Sequence, residues 1–233
     1  MNSKELYSEI MTDHKIVERK AYYLALSLRR PALKSKHKQV REIFDYQTKQ
    51  RNNWIININC FVKGYESCAT VYYLNEHGLN GMCVNSDGVS LTHYTPHFLK
   101  RYNERFVKEA NLSKLELLKQ FIINNQLGSI GEVADSESEQ YEVVGRFKEG
   151  VGLGFKEAIC DDGREIVHFK TFISNEMILD GQREGFNALG EYYDEVFNEI
   201  QRINKRRAWA MDKRIDNRLK VESLPKKADY DFL

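Results

Sequence analysis

What this chain lacks narrows the field first. Its 233 residues include only four cysteines and three prolines. Cys60, Cys68, Cys83 and Cys160 form no C-x-x-C pair, so neither a disulfide framework nor a cysteine-built zinc site is expected. Three of the four lie in apolar, strand-like runs, where a reduced thiol behaves as a small hydrophobe. No apolar run approaches the ~20 residues of a membrane-spanning helix. The opening Met1-Asn2-Ser3-Lys4-Glu5 lacks the basic-then-apolar order of a secretion signal, so a cytoplasmic protein without membrane contact is expected. Neither G-x-S-x-G nor H-E-x-x-H occurs, which leaves serine-hydrolase and zincin chemistry without support. Gly145, Gly150, Gly152 and Gly154 lack the following helix and lysine of a phosphate loop. His93 and His97 are four apart, but Thr95-Pro96 starts a helix between them, so they form no helical metal pair. No metal or cofactor is expected.

What is present fits a folded protein: 42% hydrophobic and 30% charged residues can supply a core. The net charge of +1 hides an uneven distribution. Residues 15–51 carry eleven Lys and Arg against three acids, and residues 202–220 carry eight against two. Residues 131–165 reverse this, with ten acids against four basic residues. Clustered Lys and Arg gain affinity for a polyanion by counterion release, so a polyanion partner, RNA among the candidates, is expected on this count. Solvated helix faces whose charges cancel on folding would give the same pattern.

Periodicity predicts a helix from Ser3, as its cap, to about residue 30, where Pro31 should end or kink it. A second helix is expected over about 35–46. From Trp54 the texture becomes alternating and β-branched. Residues 54–62, 70–74, 81–84 and 89–92 read as a four-stranded antiparallel meander, with loops at 75–78 and 85–88. A helical pair follows, from Pro96 to about 109 and from about 114 to 124, the latter capped by Ser113 with Glu116. Residues 135–140 read as an acidic loop. A second β set spans 141–147, 151–159 and 165–173, with Asp161-Asp162-Gly163 as a turn. Ser174 can cap a short helix, and a long helix is expected from about 184 to 219. The fold class is α+β: antiparallel sheet or sheets, a central helical pair, and long terminal helices. The organisation is a helical segment over 1–50, a core over 51–178, and a long helix with a tail over 179–233. The C-terminal helix is a candidate surface for a protein partner or homodimer.

The helix at Thr95 has the firmest start, because Thr95 is a good N-cap and Pro96 at the first position loses no amide bond. Phe98, Leu99, Tyr102 and Phe106 form its apolar stripe. His97, Arg101 and Arg105, at i, i+4 and i+8, share the adjoining face. An imidazole kept neutral beside two guanidinium groups could bind a phosphodiester and take a proton from a ribose 2′-hydroxyl. Tyr94, just before this helix, is a candidate substrate contact. In the last strand, alternation puts His168 and Lys170 on one face and Phe169 and Thr171 on the other. If that strand ends beside the helix, His168 or Lys170 could protonate a leaving oxygen and Thr171 could donate to phosphate. Each of these side chains also has an ordinary reading: an ion pair with Glu104 or Glu109, a surface histidine, a solvated lysine, a β-favouring threonine.

The run His97-Phe98-Leu99-Lys100-Arg101-Tyr102-Asn103-Glu104-Arg105-Phe106, followed by His168-Phe169-Lys170-Thr171-Phe172-Ile173, resembles the barnase–EndoU–colicin–RelE group. These are small, metal-independent nuclease domains common among toxins and mobile elements. The resemblance covers residues 95–174. It implies catalytic roles for His97, Arg101, Arg105 and Thr171, with His168 as an addition, in cyclising cleavage of RNA phosphodiesters. Members of such groups also persist as inactive binding modules, so a non-catalytic nucleic-acid- or protein-binding role is the companion expectation.

Overall fold

The computed structural model describes residues 2–85, 87–125, 129–132 and 143–178. It is an α+β fold: one nine-stranded mixed sheet with a long helix on one face and a helical pair on the other. The expected acidic loop and the long helix after residue 184 lie outside the described residues.

Helix α1, Ser3–Lys34, starts at Asn2 rather than Ser3, through a capping box in which Asn2 and Glu5 satisfy each other's amides. Tyr7, Ile10, Val17, Ala21, Ala25, Leu28 and Ala32 recur at helical spacing and are all buried. The alanines let the helix approach the sheet closely. Pro31 does not stop it; the last turn continues to Lys34, and the Ser35 amide returns to the Pro31 carbonyl. Buried Asp13 fixes the helix to the sheet by accepting from Thr48 Oγ1 at 2.7 Å, Asn52 Nδ2 at 2.8 Å and Trp54 Nε1 at 3.4 Å.

The second helix expected at 35–46 is instead strand β1, Gln39–Gln47. Its charged residues resemble a solvent-facing helix, but all nine positions pair with β2, Asn53–Phe61. That ladder outweighs the weak local preference. Strands β3, Gly64–Asn75, β4, Gly78–Val84, and β5, Leu91–Tyr94, continue the expected meander in antiparallel order. Helix α2, Pro96–Tyr102, then runs into a π-helical turn, Asn103–Val107, in place of the single α-helix expected to residue 109. Lys108, with φ +58°, ends the turn, and Asn103 fixes that end through bonds to Glu109. Helix α3, Lys114–Asn124, has the expected Ser113–Glu116 box.

Strand β6, Ser129–Glu132, had no counterpart in the sequence reading. With β7, Val143–Arg146, β8, Gly150–Ala158, and β9, Glu165–Ser174, it makes a second antiparallel set. The two sets are one sheet, because β5 and β9 pair in parallel, with order β1-β2-β3-β4-β5-β9-β8-β7-β6. Trp54, Ile56, Ile58, Met82, Leu91 and Ile166 face α1. Ile55, Tyr94, Val167, Phe169 and Phe172 face α2 and α3. The paired Gly145 and Gly152 leave a slot for the Phe169 ring; a Cβ on Gly145 would lie 2.3 Å from its Cζ.

Candidate functional site

Helix α2 packs Phe98, Leu99 and Tyr102 onto Phe121, Phe169 and Phe172, which turns His97 outward. His97 is exposed, and its Nε2 accepts from Arg101 Nε at 3.4 Å. Arg101 Nη1 also pairs with Glu104 at 2.8 Å. Arg105 faces a different task. Strand β5 ends at Tyr94, so among the described residues no strand lies beside this edge of β9 beyond Phe169. Thr95 Oγ1 donates to the Phe169 carbonyl at 2.8 Å, and Arg105 Nη1 donates to the Phe172 carbonyl. Both side chains thus satisfy backbone acceptors that the strand pairing leaves open.

The residues expected to join His97 lie across the sheet from it. A bulge in β9 pairs Gly154 with Phe169 and Leu153 with Thr171, leaving Lys170 over. Phe169 and Phe172 both enter the α2–α3 core, so Lys170 and Thr171 fall together on the α1 side. The expected alternation, with Thr171 on the Phe169 face, is corrected by that extra residue. His168, between Val167 and Phe169, is also on the α1 side. The fold therefore makes no composite of His97, Arg101 and Arg105 with His168, Lys170 and Thr171. Tyr94 is 9% exposed within the rings of Phe98, Phe121, Phe147 and Phe169, and is a core residue.

What the α1 side assembles instead is a hydrogen-bonded chain. His93 and His168 are direct partners in the parallel pair, and their Nδ1 atoms lie 2.8 Å apart. His93 Nε2 is 3.0 Å from Asn80 Oδ1, while His168 Nε2 is 3.0 Å from Glu157 Oε2. Asn80 Nδ2 donates to the Gly78 carbonyl, which presents Oδ1 to His93 and puts a proton on His93 Nε2. His93 Nδ1 is then an acceptor, and His168 Nδ1 must donate to it. The last link, to Glu157, needs a further proton on His168 Nε2 or on the carboxyl.

Burial, with His168 and Lys170 nearby, pushes His93 down to about 3, so its imidazole stays neutral. Burial also lowers His168, although its bond to Glu157 pulls the other way. Phe155 stacks on His168 with centroids 4.9 Å apart, and Lys170 Nζ lies 5.0 Å from the Phe155 centroid. All four ring nitrogens are engaged within the protein, so neither histidine offers a free lone pair to an incoming substrate.

The third chemical surface is the outside of α1. Ile16, Lys20, Tyr23, Ser27, Arg30 and Lys34 form one stripe, with Lys15 and Arg19 beside it. All eight are exposed, Tyr23 to 46%. Lys36 and Lys38 continue the positive charge into the turn before the edge strand β1, whereas Arg41 turns to the α3 side and donates to the Ile123 carbonyl at 3.1 Å.

Comparison with protein-family models, curated proteins and solved structures finds no match for this chain. No described helix is long and apolar enough to cross a membrane. Asn80, His93 and Glu157 were not singled out from the sequence as one site. Each looks ordinary in its own strand, and nothing local announces that β5 pairs with β9.

Proposed function

We propose that this chain is a non-catalytic RNA-binding protein that holds single-stranded RNA along the outer face of α1 and the turn that leads into β1. The observation that carries this reading is the exposed row Lys15, Arg19, Lys20, Arg30 and Lys34, with Tyr23 set among them. Spaced Lys and Arg contact phosphates by counterion release, and an exposed tyrosine offers a ring on which an unpaired base stacks. The separation of His97 from His168 and Thr171 favours binding over cleavage.

Fluorescence anisotropy with a labelled single-stranded RNA tests the reading. Binding should weaken steeply with salt, and the combined Arg19→Glu, Lys20→Glu and Arg30→Glu variant should lose at least ~10-fold in affinity. Tyr23→Ala should lose a few-fold at constant salt dependence. Salt-independent binding, or a triple variant that binds like wild type, refutes it.

A second reading, metal-free cleavage of RNA, is supported by the exposed His97 imidazole 3.4 Å from Arg101. Incubation with labelled RNA in EDTA decides it. Cleavage that disappears in His97→Ala would establish it, and intact RNA would remove it.

A further inference from the structure

Of the four cysteines, two meet. Cys68 on β3 and Cys83 on β4 have their Sγ atoms 3.2 Å apart, although fourteen residues separate them in the chain. They are not direct cross-strand partners. Thr70 pairs with Cys83 in the last rung between these strands, and Cys68 lies two residues beyond it. Past that rung β4 ends at Val84 and the chain turns into the loop that Asn85 and Ser90 close. The ladder between β3 and β4 therefore has no further rung where the two sulfurs meet, while each strand remains paired on its other edge.

Both cysteines are partly exposed, on the α2–α3 side where Cys83 packs against that core. The other two thiols are differently placed. Cys60 is fully buried under α1, 3.6 Å from the Ala25 carbonyl. Cys160 is partly exposed but lies at the far end of the β8–β9 hairpin, in a groove with Tyr7 and Arg164.

We propose that Cys68 and Cys83 form a thiol–disulfide exchange site that accepts a low-molecular-weight disulfide such as glutathione disulfide. A disulfide needs the sulfurs to close from 3.2 Å to ~2.0 Å, a movement that side-chain rotation supplies while Cys68 stays paired to β2 and Cys83 to β5. Cys68 is the attacking group. Either thiol can donate across the contact; with Cys83 as donor, the bond holds the Cys68 thiol below its ordinary value against its burial, and the same bond together with burial raises Cys83. Cys83 otherwise turns its proton to the Val84 carbonyl at 3.4 Å.

The Cys68 thiolate attacks one sulfur of the external disulfide, forming a mixed disulfide and expelling one thiolate, which takes up a proton. Cys83 then loses its proton to solvent and attacks Cys68 Sγ. The Cys68–Cys83 bond forms as the second small thiolate leaves and is protonated. The small disulfide gains two electrons and two protons, and the protein dithiol loses them.

The full chain is incubated anaerobically with glutathione disulfide, remaining thiols are alkylated, and peptides are mapped by mass spectrometry. Two thiols should disappear into a Cys68–Cys83 cross-linked peptide, with Cys60 and Cys160 still alkylated and all four recovered after dithiothreitol. Cys83→Ser should trap glutathione on Cys68, and Cys68→Ser should form neither adduct nor bridge at the rate of wild type. Four alkylated thiols in wild type, preferential glutathionylation of Cys160, or a Cys68→Ser variant that reacts like wild type would overturn the proposal.

Discussion

The rings of His93 and His168 meet Nδ1 to Nδ1 at 2.8 Å, across the strand pair that joins the two halves of the sheet. Two imidazoles can share that contact only when one nitrogen gives a proton and the other accepts it. The identities of the outer partners, Asn80 and Glu157, decide which is which.

The first consequence is a pH dependence of stability. His93 is held to about 3 in the folded protein, against an ordinary value of about 6.5. Between those limits the unfolded chain binds a proton that the folded chain refuses, so stability falls as pH drops through the window and levels off below about 3. The slope from this group approaches about 1.4 kcal/mol per pH unit. Urea denaturation at pH 6 and pH 5 should show a smaller loss in His93→Gln than in wild type. Equal losses would show that His93 does not titrate as its burial requires.

Glu157→Gln isolates the other end of the chain. Removing the carboxylate takes away the partner that favours imidazolium at His168 and leaves burial and the nearby Lys170 charge acting against it. The His168 pKa should therefore fall further. Nitrogen-15 imidazole NMR across a pH titration reads this directly, and an unchanged His168 curve would mean the Glu157 bond has no electrostatic effect.

Gly145→Ala places a Cβ where the Phe169 ring sits, at 2.3 Å from Cζ. Overpacking of this kind costs typically ~1–3 kcal/mol. Phe169→Leu also destabilises, but it removes the obstructing edge of the ring. The double variant should be more stable than the sum of the two losses predicts, and strict additivity in denaturant midpoints would sink the explanation.

Arg105 separates a structural role from a chemical one. Its guanidinium serves the Phe172 carbonyl on the edge of β9 that has run past the end of β5. Arg105→Ala should lower unfolding free energy by ~1–3 kcal/mol because a backbone acceptor is left without its partner. Arg105→Lys should recover part of that in chemical denaturation. No loss in either variant would free Arg105 for another task.

The limits of legibility follow from range. Ser113 with Glu116, and Thr95 with Pro96, announced their helix starts because capping is settled within four residues. The alternation from Trp54 to Leu91 announced the meander for the same reason. Strand β1 does not declare itself locally because Arg41, Glu42 and Asp45 carry little β preference, and only pairing with β2 makes it a strand. The place of Thr171 was misread because a single unpaired residue, Lys170, reverses which face the following residue takes.

The sequence by itself determined the α+β class, the caps of the central helical pair and the outward face bearing His97 and Arg101. Those features depend on neighbours a few residues apart. Tertiary structure alone decided that β5 lies beside β9, that His93 therefore touches His168, and that Cys68 reaches Cys83. Each of those contacts depends on strand order and register, set by burying two apolar faces of one sheet at once, and no local pattern records it.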